Sequence, residues 1–199
     1  MTTTTHNSTL VEAILPQTGL ATFLKKILIV LAGVAVLALA AKIKVPMFPV
    51  PITMGTFAVL VIGAAYGPRL GLVTIIGYMI IGLLGFDVFA ASSSELNGLT
   101  YMMGSTGGYL VGYLLAIMAL GFAARRGWDR SVPQMAIALL VGNVLIYVPG
   151  LIWLGILYGF SAQIFTWGLT PFLVGDAMKL VLAALLVPAV WNIVDKYRV

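Results

Sequence analysis

The chain has no cysteine, a single histidine and little charge: of its 199 residues only 9% are Asp, Glu, Lys or Arg. Without cysteine, disulfides, thiol catalysis and cysteine-ligated metal sites are excluded. The lone histidine, His6, sits in a polar N-terminal tail and cannot build a metal centre by itself. With neither His nor Cys in the apolar segments, the base and nucleophile that a membrane acyltransferase needs are also missing, and no enzymatic function is expected. No sequence repeat and no second domain is discernible. That absence, with the short chain, argues against an ion-coupled secondary transporter of a small vitamin-like anion, the alternative function to be weighed.

What is present is apolar surface. The residues are 61% hydrophobic and the mean hydropathy is +1.10, far from the near-half apolar, quarter-charged make-up of soluble domains. The sequence describes an all-α integral membrane protein. Its net charge of +5 does not point to nucleic acid, because the basic residues stand at the ends of apolar segments, where they act as topology signals. Lys25-Lys26 and the apolar run that follows resemble a signal peptide, with Ala38-Leu39-Ala40 as its cleavage site. The run Ile27–Ala41 is long for that purpose and more membrane segments follow, so an uncleaved first span is expected.

Windows of about twenty apolar residues, read against Pro, Gly and charge, predict six membrane helices: Leu24–Ile43, Gly55–Tyr66, Leu70–Phe86, Thr106–Ala124, Gln134–Leu157 and Pro171–Ile193. The second is short and either crosses with help from its flanks or is partly re-entrant. Residues 1–22 form a cytoplasmic tail in which Thr9 and Glu12 have capping-box spacing, enough for one or two helical turns before Pro16. Residues 23–199 form the membrane domain. A cytoplasmic N-terminus gathers Lys25, Lys26, Arg69, Arg125, Arg126, Arg130, Lys196 and Arg198 inside and leaves Lys42 and Lys44 outside. Both termini are therefore expected in the cytoplasm of a bacterial inner-membrane protein, with Lys44–Met54, Asp87–Ser105 and Tyr158–Thr170 outside as caps over an outward-facing pocket.

Asp176 and Lys179 lie three apart in the last apolar segment, on one helical face. An intramembrane charge is costly, and a pair that satisfied only itself would still carry its desolvation cost, so a ligand site is the better reading than a structural ion pair. Asn143 and Tyr147 share a face of the fifth helix, as site residues or as interhelical glue. Trp153 suits a site wall or the membrane interface. Three prolines stiffen Val45–Met54, beside which Thr53 and Thr56 offer hydroxyls. Gly104-Ser-Thr-Gly-Gly108 opens a helix but lacks the Walker pattern. Its amides either take a ligand carbonyl or carboxylate, or its glycines permit close packing. In the first helix, Ala32, Ala35, Ala38 and Ala41 recur every three residues, either as internal packing or as a docking surface for another membrane protein.

Pro49-Val-Pro-Ile-Thr-Met-Gly-Thr-Phe57, Gly67-Pro-Arg-Leu-Gly71, Gly104-Ser-Thr-Gly-Gly-Tyr109, Gly142-Asn143 with Tyr147 and Trp153, and Pro171-Phe-Leu-Val-Gly-Asp-Ala-Met-Lys179 together resemble the BioY family, the biotin-binding S components of energy-coupling factor (ECF) transporters. The resemblance implies a six-helix bundle and capture of biotin from outside. It also implies docking, in the lipid bilayer, on a transmembrane T component and two ABC-type ATPases, with no cofactor in this chain. With biotin as the implied ligand, the helical adjacency of Asp176 and Lys179 suits both to its ureido head, and Tyr109, Tyr147 and Trp153 are candidate walls for its thiophane and chain. Asn143, Thr53, Gly104, Ser105, Thr106 and Gly107 complete the expected biotin site, with the carboxylate left to the outer loops and the amides near Gly104–Gly108. Two positions depart from the family pattern. Gly55 stands where Gln is expected, and the small-residue docking motif is spaced by three rather than four.

Overall fold

The computed structural model describes residues 8–14, 20–93 and 95–197; His6, Pro16 and Arg198 lie outside them. Long apolar stretches form helices because a bilayer leaves no other partner for their backbone groups. Five helical stretches are long and apolar enough to cross: Thr22–Lys42, Gly55–Leu83, Gly107–Arg125, Val132–Tyr158 and Gln163–Lys196. In order, the elements are α1 (Leu10–Ile14), α2 (Leu20–Lys42), strands β1 (Lys44–Val45) and β2 (Ile52–Thr53), α3 (Gly55–Leu83), α4 (Gly98–Met102), α5 (Gly107–Arg125), α6 (Val132–Tyr158), α7 (Gln163–Gly168) and α8 (Leu173–Tyr197). Short 3₁₀ turns precede α6 and α8, over Trp128–Arg130 and Thr170–Phe172.

The second and third predicted segments are the two arms of α3. Gly67 has φ 75° and ψ −179°, a conformation that glycine tolerates, and Pro68 follows it. The chain turns back there. A side chain at Gly71 would stand 3.8 Å from the Gly63 Cα, whereas a straight helix would hold those residues about 12 Å apart. Both arms consequently begin or end at the same end of the molecule.

At that end the proline-rich connection folds as a small antiparallel ribbon, with Lys44 opposite Thr53 and Val45 opposite Ile52. At the other end, α1 is packed onto the bundle instead of trailing from it: Thr9 and Leu10 are buried, Thr9 sits against Gly67, and Glu12 Oε1 accepts from Arg125 Nη2 at 2.8 Å. Half of the expected capping box is formed, with the Thr9 amide donating to Glu12 Oε2 at 3.2 Å.

α5 is the central helix, packed between α3 and α6. Glycine makes the approach possible: a Cβ on Gly112 would lie 2.6 Å from the Ile146 Cα, and one on Gly121 would lie 2.3 Å from the Pro68 nitrogen. α2 is peripheral and leans on α3, where Tyr66 donates to the Ile29 carbonyl at 3.1 Å. Its alanine row is not a single face. Ala32 and Ala35 are exposed, Ala38 is half-buried and Ala41 is buried. A step of three turns a helix by about 300°, so the row drifts about 60° each time and its ends point in opposite directions.

Candidate functional site

A cavity opens where the ribbon and both arms of α3 meet. Leu37 and Ala41 of α2, Thr56 and Tyr78 of α3, Tyr109 and Tyr113 of α5, Tyr147 of α6, and Phe172 and Lys179 form its walls. Val50, Pro51 and Thr53 from the ribbon, with Phe89 and Ala90 from the connection after α3, cover it. The cover is anchored by Lys42 at the end of α2 and Lys44 of β1. Lys42 Nζ donates to Asp87 Oδ1 at 2.5 Å and to the Phe89 carbonyl at 2.8 Å, and Lys44 Nζ donates to the Ala90 carbonyl at 2.5 Å. The ammonium of Lys42, with the Ser92 hydroxyl, holds the Asp87 carboxyl below the usual range. Phe89 is 1% exposed, stacked on Tyr101 with centroids 4.7 Å apart and edge-on to Tyr78 at 5.3 Å.

On the opposite wall, α8 carries the charges. Lys179 Nζ donates to Asp176 Oδ1 at 2.9 Å, to the Thr53 carbonyl at 2.6 Å and to Thr56 Oγ1 at 3.1 Å. Thr56 Oγ1 passes a hydrogen bond to Asp176 Oδ1 at 3.4 Å, and the Tyr147 hydroxyl donates to Asp176 Oδ2. An ammonium has three protons, and each has an acceptor here. The helical spacing of three that placed both charges on one face also brings them into contact.

The predicted site residues separate into five positions. Lys179, Tyr147, Tyr109, Thr106 and Thr53 line the cavity. Asp176 stands behind Lys179 and Tyr147, 6% exposed. Gly104 and Ser105 line an adjoining crevice that shares Pro51, Tyr101 and Thr106 with the cavity and has Lys44 at its rim. Ser105 donates there to the Pro49 carbonyl at 2.6 Å. The amides of Gly104 and Gly107 already donate to Tyr101 and Gly104 carbonyls, and Gly107 and Gly108 lie tightly on Trp153. Trp153 donates to the Gly104 carbonyl at 2.8 Å, bracing the start of α5 from outside the cavity lining. Asn143 donates to Leu139 of its own helix at 3.2 Å and lines a groove between α6 and α8 instead of the cavity. Of the alanine row, Ala41 is a cavity wall.

Sequence reading missed Tyr78, Phe89, Tyr101 and Tyr113. The last carried a signal, since Tyr109 and Tyr113 are four apart on one helical face. Phe89 carried none, being one aromatic in an irregular connection.

The fold and the site define a class: a membrane-embedded helical protein with an aromatic, loop-covered cavity and a buried ion pair in its wall. The BioY family model matches residues 6–196, and the chain belongs to the BioY family. It is 35% identical over 162 residues to the probable biotin transporter BioY of Pyrococcus horikoshii, covering 81% of this chain and 93% of that protein. It is 30% identical over 152 residues to the biotin transporter BioY of Thermotoga maritima, covering 76% and 87%. The fold is shared with a solved S-component for biotin from an ECF-type ABC transporter, at a TM-score of 0.73 and 20% identity over 88% of this chain and 95% of the other.

Proposed function

We propose that this chain captures biotin in the covered cavity and serves as the S component of an ECF-type transporter, working with a T component and two ATPases. One observation carries the reading: Lys179, paired with Asp176 directly behind it, lines a largely apolar, tyrosine-rich cavity in a chain of the BioY family. Biotin suits both halves, having a ureido ring with two N–H donors and a carbonyl, and an apolar thiophane and chain.

In this reading the head binds by exchange. A ureido carbonyl replaces a neutral partner of Lys179, the Thr53 carbonyl or the Thr56 hydroxyl, and ureido N–H groups turn to Asp176. Tyr109, Tyr147 and Phe172 enclose the thiophane. The valerate runs past Thr106 and Tyr101 into the crevice, with its carboxylate near Ser105 and Lys44. An analogue without the polar head would leave buried groups unpaired, which is the source of selectivity.

Six membrane crossings follow if both arms of α3 traverse, the short first arm being extended by the ribbon above it. The charge distribution supports an outward cavity and cytoplasmic termini. Lys25, Lys26, Arg69, Arg125, Arg126, Arg130 and Lys196 belong to the end away from the cavity, and Lys42 and Lys44 to the cavity end. A cysteine at Ser93 should label with an impermeant thiol reagent in whole cells while one at Ser131 does not; the reverse pattern rejects this orientation. The exposed Ala32 and Ala35 remain candidates for T-component docking.

Calorimetric titration of biotin into the purified chain tests the function. Lys179→Met should weaken binding by at least about tenfold, the scale of a lost charged hydrogen bond, for biotin and biotin methyl ester alike. Lys44→Gln should weaken biotin and spare the ester. Unchanged affinity in folded Lys179→Met and Asp176→Asn proteins would return the pair to a structural role.

A further inference from the structure

Five tyrosines line the cavity; three donate their hydroxyl protons to the protein, and a fourth, Tyr101, is held as an acceptor under the cover. Tyr78 donates to the Val88 carbonyl at 3.1 Å, Tyr109 to the Gly168 carbonyl at 2.8 Å and Tyr147 to Asp176, while Tyr101 accepts from the Ala91 amide at 3.5 Å and meets Thr106. Tyr113 differs. Among the described residues its hydroxyl makes no hydrogen bond to a backbone group or a charged side chain, and its hydroxyl neighbour across Gly55 is that of Thr53. It stands beside Gly55, 3.4 Å from where a Cβ would lie, in space that a side chain there would take.

A proton count shows what this pair can do. Two hydroxyls bring two protons, and a bond between them would use only one. Thr53 Oγ1 is already an acceptor for the Gly55 amide at 3.0 Å. The nearby Asp176 carboxylate already accepts from Tyr147, Lys179 and Thr56. At least one hydroxyl proton is left without an acceptor among the described residues, and both hydroxyl-bearing side chains line the cavity. It lies next to Lys179, because the Thr53 carbonyl accepts from Lys179 Nζ at 2.6 Å.

We infer that the Tyr113–Thr53 hydroxyl pair is a specificity-determining donor that binds the same ligand carbonyl oxygen as Lys179, one on each lone pair. The inference rests on the proposed binding of a urea-type head in this cavity and adds a group to it. A carbonyl has two acceptor positions and suits such a pair of donors. A head whose oxygen is replaced by a donor does not.

Isothermal titration of biotin and of biotinamide, which lacks the carboxylate charge, against wild type and Tyr113→Phe tests it. Phe keeps the ring and removes the hydroxyl. Both ligands should lose about 3- to 10-fold in affinity, the scale of one neutral hydrogen bond, with the melting temperature of the unliganded protein unchanged. Thr53→Val, which removes the other hydroxyl, should lose affinity in the same direction and serves if Tyr113→Phe does not fold. Affinities within twofold of wild type in both variants overturn the inference. Loss confined to biotin also overturns it, placing Tyr113 at the tail. Failure of wild type to bind biotin would instead overturn the functional reading beneath.

Discussion

Two aspartates are buried near opposite ends of this molecule and are provided for in opposite ways. Asp176, at the cavity, has an ammonium and a hydroxyl on one oxygen and a phenol on the other. Asp129, between α5 and α6, is 0% exposed and accepts from Trp191 Nε1 at 2.6 Å, while its Oδ1 has no hydrogen-bond partner among the described residues. The neighbouring Arg130 lies over the Trp191 ring, 4.0 Å from its centroid. Burial therefore dominates at Asp129 and pushes its carboxyl up to about 6. Burial alone does not mark a ligand site. The cavity aspartate is distinguished by a direct countercharge and by neighbours that can change partners, whereas Asp129 ties the α5–α6 connection to α8.

The contrast breaks most visibly in ligand affinity. Asp176→Asn should weaken biotin binding by at least about tenfold, with Lys179 left buried without its countercharge, whereas Asp129→Asn should stay within twofold of wild type. Parallel titrations of the two variants check this, and equal losses would erase the distinction.

Stability should show the reverse emphasis. Asp129→Ala strands the buried Trp191 N–H and should cost about 1–3 kcal/mol, while Asp129→Asn keeps an acceptor and should cost less. Chemical denaturation in detergent measures both.

A smaller effect sharpens the contrast through pH. A folded-state value of about 6 against an ordinary 3.8 means that folding favours the protonated form. The contribution of Asp129 to stability is therefore greatest below about pH 4, declines as pH rises through about 6, and is flat above. Melting curves between pH 4 and 8 should show this decline in wild type and lose it in Asp129→Asn; identical profiles would refute the assignment. The smallest effect belongs to the partly exposed Glu12–Arg125 pair, where Glu12→Gln should cost about 0.2–1 kcal/mol and less at high salt.

Much of the framework was legible because long apolar helices and their breakers are local signals. Gly67-Pro68 separated two predicted segments and is the turn in α3; the predicted end at Leu157 and the observed end at Tyr158 differ by one residue. Asp176 and Lys179 were legible because intramembrane charge is rare and their spacing is helical. The short helices α4 and α7 were not, being too brief for periodicity to register. Phe89 and the Asp129–Trp191 bond depend on contacts between distant parts of the chain, with partners 62 positions apart in the second case. The alanine row was misleading as a single docking face because a period of three was read without following its drift around the helix.

Lys179 is already complete in hydrogen bonds, with three acceptors supplied by the protein itself. At Lys179 a ligand then trades bonds one for one, so charged hydrogen bonds add little to the total. In such a site the polar wall acts as a filter, and the driving force comes from water leaving the apolar flanks of ligand and cavity. The thermodynamic signature should be a negative heat-capacity change on binding. Free urea, which can imitate the head but brings no apolar surface, should compete poorly at any concentration that leaves the protein folded.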